Sequence, residues 1–566
     1  MTETVTDDSG FAKSAGRQLL TFALLAVIGL SALMFVLDSM ASLVGSDSGN
    51  TSAVEPELNM VTIAFEDEPP QLDSGQRADM ISGRVLGHVM EGLLAYDQHS
   101  KLIPGVAERW EINALDATFW LRRDARWSDG EPVTAHDFVF AWRKAADPSQ
   151  ASEYAFMMYY LKNGEAVANG DMPLDALGVV AVDDYTLKVQ LERPTAFFDK
   201  LVAFQTFYPI REDFFRQTNG RYSADAHELL YNGRFKVTSW VHGASMMMEK
   251  NEHYWNRDDV KLDAIKVGYI TRDTHARFNF FKDNKIAYAG LGAEQLSSAM
   301  EQRFHIRRFQ DGSLFYMEFN HQPHRATRSW HLRRAMQLVT DSGELVNRVI
   351  KLPGYLPGRS LFPVYLPGVN DTFRREYGEP DTELDYTLAL EHLEKAKAEL
   401  GVDEIPTITM LIGDTPISKT QAEYFQAVYK DALGLDIKID AQIFKQRLEK
   451  MTQRDFDVVM AGWGPDYNDP LTFGDLFASW NRNNHGEWEN EEYDQLVAVA
   501  QNSMDQNERM AAFDRMQEIL YEEAVLLPHY ERGQSYVTHP QLKGMVRRVV
   551  GADPDLRYAW IDRNAG

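Results

Sequence analysis

At 566 residues the chain is too long for one hydrophobic core and implies two or three domains. Its 44% hydrophobic and 25% charged content suits a soluble globular protein, while a net charge of −26, from 84 acidic and 58 basic residues, argues against a nucleic-acid partner. The absence of cysteine excludes disulfides, thiolate metal sites, a cysteine nucleophile and lipid attachment through a thiol.

Leu19 to Leu37 runs without a charged residue and, at roughly 20 residues, is long enough to cross a bilayer. Lys13 and Arg17 precede it and Asp38, Asp47 and Glu55 follow, so the positive-inside rule keeps residues 1–18 cytoplasmic and exports the rest. An uncleaved anchor is the preferred reading; cleavage near Ala41, after Ser39-Met40-Ala41, is the other. Residues 38–54 then form a linker, with the Ser-, Gly- and acid-rich stretch from Gly45 as a flexible tether.

Val61–Phe65 opens the exported part as a strand, and Met80–Leu94 is expected to be helical. A β-rich stretch follows, with alternation in Thr118–Arg122 and Tyr185–Leu191. Between them, Thr134 and Asp137 form a capping pattern ahead of a helix bearing Phe138, Ala141, Trp142 and Ala145. Phe235–Val241 and Ser245–Lys250 are expected to pair across His242-Gly243, and Val260–Ile270 continues the alternation.

From Asp381 helices and strands alternate: helix Tyr386–Leu400 to Gly401, strand Thr407–Ile412, helix Gln421–Leu433 to Gly434, strand Leu435–Ile443, helix Phe444–Met451. This pattern predicts βα units and a largely parallel sheet. The next strand, Phe456–Ala461, is broken sharply by Gly462-Trp463-Gly464-Pro465-Asp466. Ligands of such sheets bind beyond the carboxyl ends of the strands. A carboxylate beside aromatics on a glycine-shaped backbone there suits a ligand with one positive charge and a peptide-like body.

No nucleophile elbow, zinc-protease helix or phosphate-binding glycine loop is present, and Gly290-Leu291-Gly292 lacks the third glycine of a dinucleotide site. His321, His324 and His331 lack acidic partners at ligand spacing, so no metal is expected. Arg325, Arg328, Arg333 and Arg334 read as a solvated helix face. Among the aromatics, Tyr154 and Trp463 lie in polar or turn-like contexts where packing is a less obvious role.

Several of these stretches, in order, resemble the periplasmic oligopeptide-binding proteins, the solute-binding components of peptide ABC importers. The wording includes Leu72-Asp73, Glu91-Gly92-Leu93-Leu94, Pro104–Trp110, Trp127-Ser128-Asp129-Gly130, Asn232-Gly233-Arg234-Phe235, Glu249-Lys250-Asn251 and Gly462–Pro470. The resemblance implies an α/β fold of two lobes around a cleft with an extra β-rich domain, here preceded by one N-terminal transmembrane helix. Lobe I would comprise 55–90, 211–312 and 534–566, the extra domain 91–210, and lobe II 313–533.

The resemblance also implies roles. Asp466 would receive a peptide's α-ammonium group, and the backbone at Gly462, Trp463 and Gly464 would pair with the peptide as an added strand. Ala78-Asp79-Met80 would face it from the other lobe, and Tyr154 would contribute to the site. The implied protein is a periplasmic monomer, anchored to the inner membrane or secreted, that passes oligopeptides to a permease with no cofactor and no covalent chemistry. Two other readings stay open: another amine-bearing solute, such as a murein peptide or metal chelate, or a membrane-tethered ligand sensor. Met460 stands where the family can carry an arginine that meets the carboxylate of short peptides, which points to longer or differently anchored ligands. Asp79 stands where a glycine can occur, which would narrow the cleft or favour basic side chains.

Overall fold

The computed structural model describes residues 52–76, 79–381 and 384–565. Leu19–Leu37 lies outside them, and no helix among the described residues is long and apolar enough to cross a membrane.

From the amino end, strand β1 (Met60–Phe65) leads to helix α1 (Met80–Val89), followed by β2 (Ala107–Ile112), β3 (Asp116–Leu121), α2 (Ala135–Ala146), β4 (Val179–Asp183) and β5 (Thr186–Gln190). Next come β6 (Phe235–Val241), β7 (Ser245–Lys250), β8 (Ala264–Ile270), α3 (Thr274–Lys282), β9 (Tyr288–Leu291) and the long β10 (Arg307–Phe319). The alternating part contains α4 (Tyr386–Leu400), β11 (Ile408–Gly413), α5 (Pro416–Leu433), β12 (Ile437–Gln442), α6 (Phe444–Gln453) and β13 (Val458–Trp463). Helices α7 (Glu491–Asn502) and α8 (Gln506–Glu522) then return the chain to the long β14 (Leu526–Thr538).

Local chemistry explains the boundaries. Asp79 caps α1, its carboxylate accepting the N–H groups of Ile81 and Ser82 at 2.9 and 2.7 Å. This spends Asp79 on the helix start, a role that the expectation of a cleft-narrowing residue did not include. Asp137 accepts the Thr134 N–H at 2.8 Å and the Trp127 indole N–H at 3.2 Å at the head of α2. Gly401 and Gly434 end α4 and α5 in the left-handed region, both at φ 68°.

Three sheets organise the chain. The first runs β1-β8-β7-β6 with a two-residue strand, Val54–Glu55, at its edge; β1 and β8 are parallel and the β6–β7 hairpin is antiparallel. The second, β2-β3-β5-β4, is wholly antiparallel and packs on α2 with Trp127, Trp142, Phe119 and Phe138 in its core. The third runs β9-β14-β10-β13-β11-β12.

The third sheet is mixed rather than largely parallel. β11 pairs parallel with β12 and β13, but β10 is antiparallel to both β13 and β14, and β9 is antiparallel to β14. The βα pattern reads only consecutive crossover units, and β10 and β14 join the sheet from either side of that segment, so no periodicity within it discloses their direction.

One sequence expectation changes here, that for Arg333, while Met460 is buried with Met317, Met410, Ile412 and Phe425 in the core beneath α4 and α5. Arg333 is no part of a solvated face: it is buried and donates to the carbonyls of Ala524, Thr327, Arg328 and Glu523. Burial lowers its pKa to about 10.

Candidate ligand cleft

Strand β13 runs two residues beyond its apolar stretch, because Gly462 and Trp463 still pair with Phe315 and Leu314 of β10. On the other edge the ladder to β11 stops at Val459, so Ala461–Trp463 are paired along one side only. Just before it, Arg447 donates to the Met460 carbonyl at 3.0 Å. A β-carbon on Gly462 would lie 2.7 Å from the Phe315 ring, which explains why glycine sits at this crossing. A half-paired strand end of this kind offers N–H and C=O groups to an extended ligand.

The loop after β13 is held from below. Asp466 donates its backbone N–H to Thr472 Oγ1 at 3.1 Å, and the Tyr467 ring stacks on Phe197 with centroids 5.1 Å apart. Asp469 is fully buried in a bidentate pair with Arg509 at 2.7 and 3.0 Å, and accepts a third charged bond from Lys200 at 3.1 Å. Burial alone would raise the Asp469 carboxyl, but Arg509 and Lys200 hold it down at about 2. Phe197 and Lys200 follow the four-stranded β-rich sheet in sequence, so these contacts join that part of the chain to the loop.

Seven of the eight residues singled out from the sequence, Asp79, Met80, Tyr154, Gly462, Trp463, Gly464 and Asp466, line one cavity of about 350 Å³. Ala78 lies outside the described residues. Tyr154 packs between Phe156 and Phe204, with ring centroids 5.5 and 5.4 Å away. The Trp463 indole N–H is buried without a hydrogen-bond partner among the described residues, a cost of the kind a bound acceptor would remove. Met460 is not among the residues lining this cavity.

The cavity shares lining residues with a neighbour on either side. Trp463 and Asp466 also line a neighbouring space of about 520 Å³ containing Tyr160, Trp480 and Asp475. Burial, with the Asp466 carboxylate adding to it, pushes Asp475 up to about 7. In the other direction Met80, Arg532, Gln534 and Asp553 are shared with a space of about 550 Å³, where Arg84, Arg277, Arg532 and Arg547 lie with Glu66 and Asp553, and Arg532 also pairs with Asp311. Burial alone would raise Glu66, but Arg84 at 3.1 Å and Arg277 at 2.9 Å hold it below the usual carboxylate range.

Sequence reasoning missed this basic end. Its arginines come from α1, α3, β14 and the segment after β14, and no local pattern gathers them. The one local signal was Glu531-Arg532-Gly533, a charged pair beside a glycine in the middle of a strand.

With the cleft described, comparison with known proteins is informative. The family profile of bacterial extracellular solute-binding proteins, family 5 Middle, matches residues 101–485. The chain belongs to this family. It is 30% identical to the dipeptide-binding protein DppE of Bacillus subtilis over 525 residues, covering 92% of this chain and 95% of DppE. Among solved structures, the substrate-binding domain of an oligopeptide ABC transporter from Bacillus anthracis superposes with a TM-score of 0.72 at 32% identity, covering 89% of this chain and 99% of that one. Listeria monocytogenes OppA bound to peptide gives 0.71 at 30% identity, with 89% and 99% covered. The family's two-lobed α/β fold is therefore the fold of this chain.

Proposed function

We propose that this protein captures oligopeptides in the cleft around Asp466 and delivers them to the permease of an ABC importer, without covalent chemistry. The observation that carries this reading is the convergence of Asp466, Trp463, Gly462, Gly464, Tyr154, Asp79 and Met80 on one cavity at the half-paired end of β13. Asp466 accepts the ligand's ammonium group, and the free edge of Ala461–Trp463 takes the peptide backbone as an added strand. Tyr154 and Trp463 supply apolar walls. The segment 78–80 borders the peptide from the opposite side.

In this reading lobe I comprises 55–90, 211–312 and 534–566, the extra domain 91–210, and lobe II 313–533. The boundaries at 312 and 533 fall inside β10 and β14, which makes those strands the hinge. Irregular pairing between Gln310 and Leu314 supports a flexible point there. Residues 19–37 anchor the protein to the inner membrane, and it acts as a monomer on the periplasmic side.

Removing the Asp466 charge leaves a desolvated ammonium group unpaired, at a cost of about 3–5 kcal/mol. That corresponds to roughly two to three and a half decades in affinity. Calorimetry with free and N-acetylated peptides tests it: native protein is expected to reject the acetylated forms, and Asp466→Asn to bind neither. Equal affinity for both forms would refute the assignment. Mass spectrometry of a retained peptide library checks that ligands emerge uncleaved.

A further inference from the structure

We propose that the Met80 thioether is a site of reversible oxidation, and that its sulfoxide weakens the hold of the cleft on its ligand. This rests on the peptide-binding reading and adds to it a means of regulation.

The chain has 22 methionines and no cysteine, so methionine is its sulfur open to oxidants. Most of the described methionines are buried in the cores. Among the described residues four are exposed: Met80 at 71%, Met300 at 64%, Met504 at 41% and Met172 at 38%. Of these four, Met80 alone lines the cavity of Asp466, and it also lines the arginine-rich space beside it. The local fold explains the exposure. Helical side chains lean back onto the preceding turn, and Met80, the first residue of α1 after the Asp79 cap, has no such turn behind it. Val85, Leu86 and Val89 bury the helix further along, which leaves the thioether where the two spaces meet.

The reaction is an oxygen transfer from a hydroperoxide. A sulfur lone pair attacks one peroxide oxygen and the O–O bond breaks. The attacked oxygen passes its proton to the departing one, which leaves as water or an alcohol. Sulfur is oxidised by two electrons, the peroxide is reduced by two, and no net charge appears.

The product is polar where the thioether was apolar. Its oxygen accepts hydrogen bonds and is repelled by carboxylates. Asp79, Asp311 and Asp466 line the cavity, whereas the donors Arg84, Arg532 and Arg547 line the adjoining space. The oxidised side chain is therefore drawn toward the arginines and away from the walls formed by Tyr154 and Trp463. A ligand that covered apolar surface must now desolvate a dipole. Losing that contact lowers ligand retention by about tenfold.

The test uses the full-length protein in detergent, with or without a random hexapeptide pool, treated with hydrogen peroxide. Mass spectrometry of fragments maps the sulfoxides, and native mass spectrometry reads the retained pool. Met80 is expected to oxidise about as fast as Met300, and the pool to protect Met80 but not Met300. Oxidised protein is expected to retain about tenfold less of the pool, and methionine sulfoxide reductases to restore it. Met80→Leu is expected to lose less than about half of its own untreated retention on the same treatment, while Met300→Leu shows the full loss. The inference is overturned if Met80 oxidises no faster than the buried Met317, if the pool fails to protect it, or if retention survives its oxidation. An equal proportional loss in Met80→Leu overturns it too. Retention of nothing by untreated protein overturns the peptide-binding reading and this inference with it, whereas the other failures leave that reading standing.

Discussion

Replacing Asp469 by Asn tests how the loop that carries Asp466 is held. The carboxylate and the Arg509 guanidinium are both fully excluded from solvent, and four donors converge on it: two from Arg509, one from Lys200 and the Leu471 N–H at 3.1 Å. Asn keeps one acceptor oxygen but leaves the buried Arg509 charge uncompensated. The expected loss is about 3–5 kcal/mol of unfolding free energy at neutral pH. Part of this appears as pH dependence. The folded carboxyl sits at about 2 against an ordinary 3.8, a lowering worth roughly 2–3 kcal/mol. Because the folded pKa is depressed, that stability is complete above pH ~4 and disappears as pH falls toward ~2. Urea unfolding at pH 7 measures the first quantity, and native and variant curves compared between pH 5 and 2.5 measure the second. The variant is expected to lack the component of acid destabilisation that native protein shows. It should also bind ligand more weakly, because Asp469 fixes the turn from which Asp466 projects. A loss below about 1 kcal/mol at pH 7, or parallel acid profiles, would show that the pair does not support the loop.

Three further outcomes are expected. Glu318 on β10 is buried and accepts the Gly486 N–H at 2.6 Å through one oxygen, while the other has no hydrogen-bond partner among the described residues; burial raises its pKa to about 8. A raised carboxyl pKa removes stability as pH climbs from its ordinary value of 4.5 toward 8, so Glu318→Gln should raise the melting temperature at pH 8.5 more than at pH 5. Gly462→Ala places a β-carbon 2.7 Å from the Phe315 ring and 3.1 Å from the Leu314 carbonyl; a loss of about 1–3 kcal/mol in chemical denaturation, with weakened ligand binding, is expected. Arg333→Met leaves four carbonyls without their donor, and thermal unfolding should register a loss of about 2–4 kcal/mol, whereas a solvated arginine would cost almost nothing.

Much of this protein was legible without coordinates wherever the signal is local. Alternation and turn residues located the β6–β7 hairpin, which pairs Val241 with Ser245 as expected. Gly401 and Gly434 marked the ends of α4 and α5, and Thr134 with Asp137 marked the start of α2, because caps and periodicity depend on neighbours a few residues away. Asp466 stood out for the same reason, as an acid set among glycine, proline and aromatics just past a buried strand. Ordered family wording extended this to Tyr154 and Asp79, which lie far from it in sequence.

What only the tertiary structure decided are properties of pairs distant along the chain. The strand direction of β10 and β14 depends on how the lobes are wired together, and helix period carries no trace of it. Asp79 turned out to cap a helix, Met460 to fill a core and Arg333 to bind carbonyls, because burial is set by elements that arrive from elsewhere. The basic end of the cleft draws Arg84, Arg277, Arg532 and Arg547 from positions up to several hundred residues apart. Electrostatic fields act through space and local patterns run along the chain, so composition and motif could nominate Asp466 at one end of the cleft but not the arginines gathered at the other.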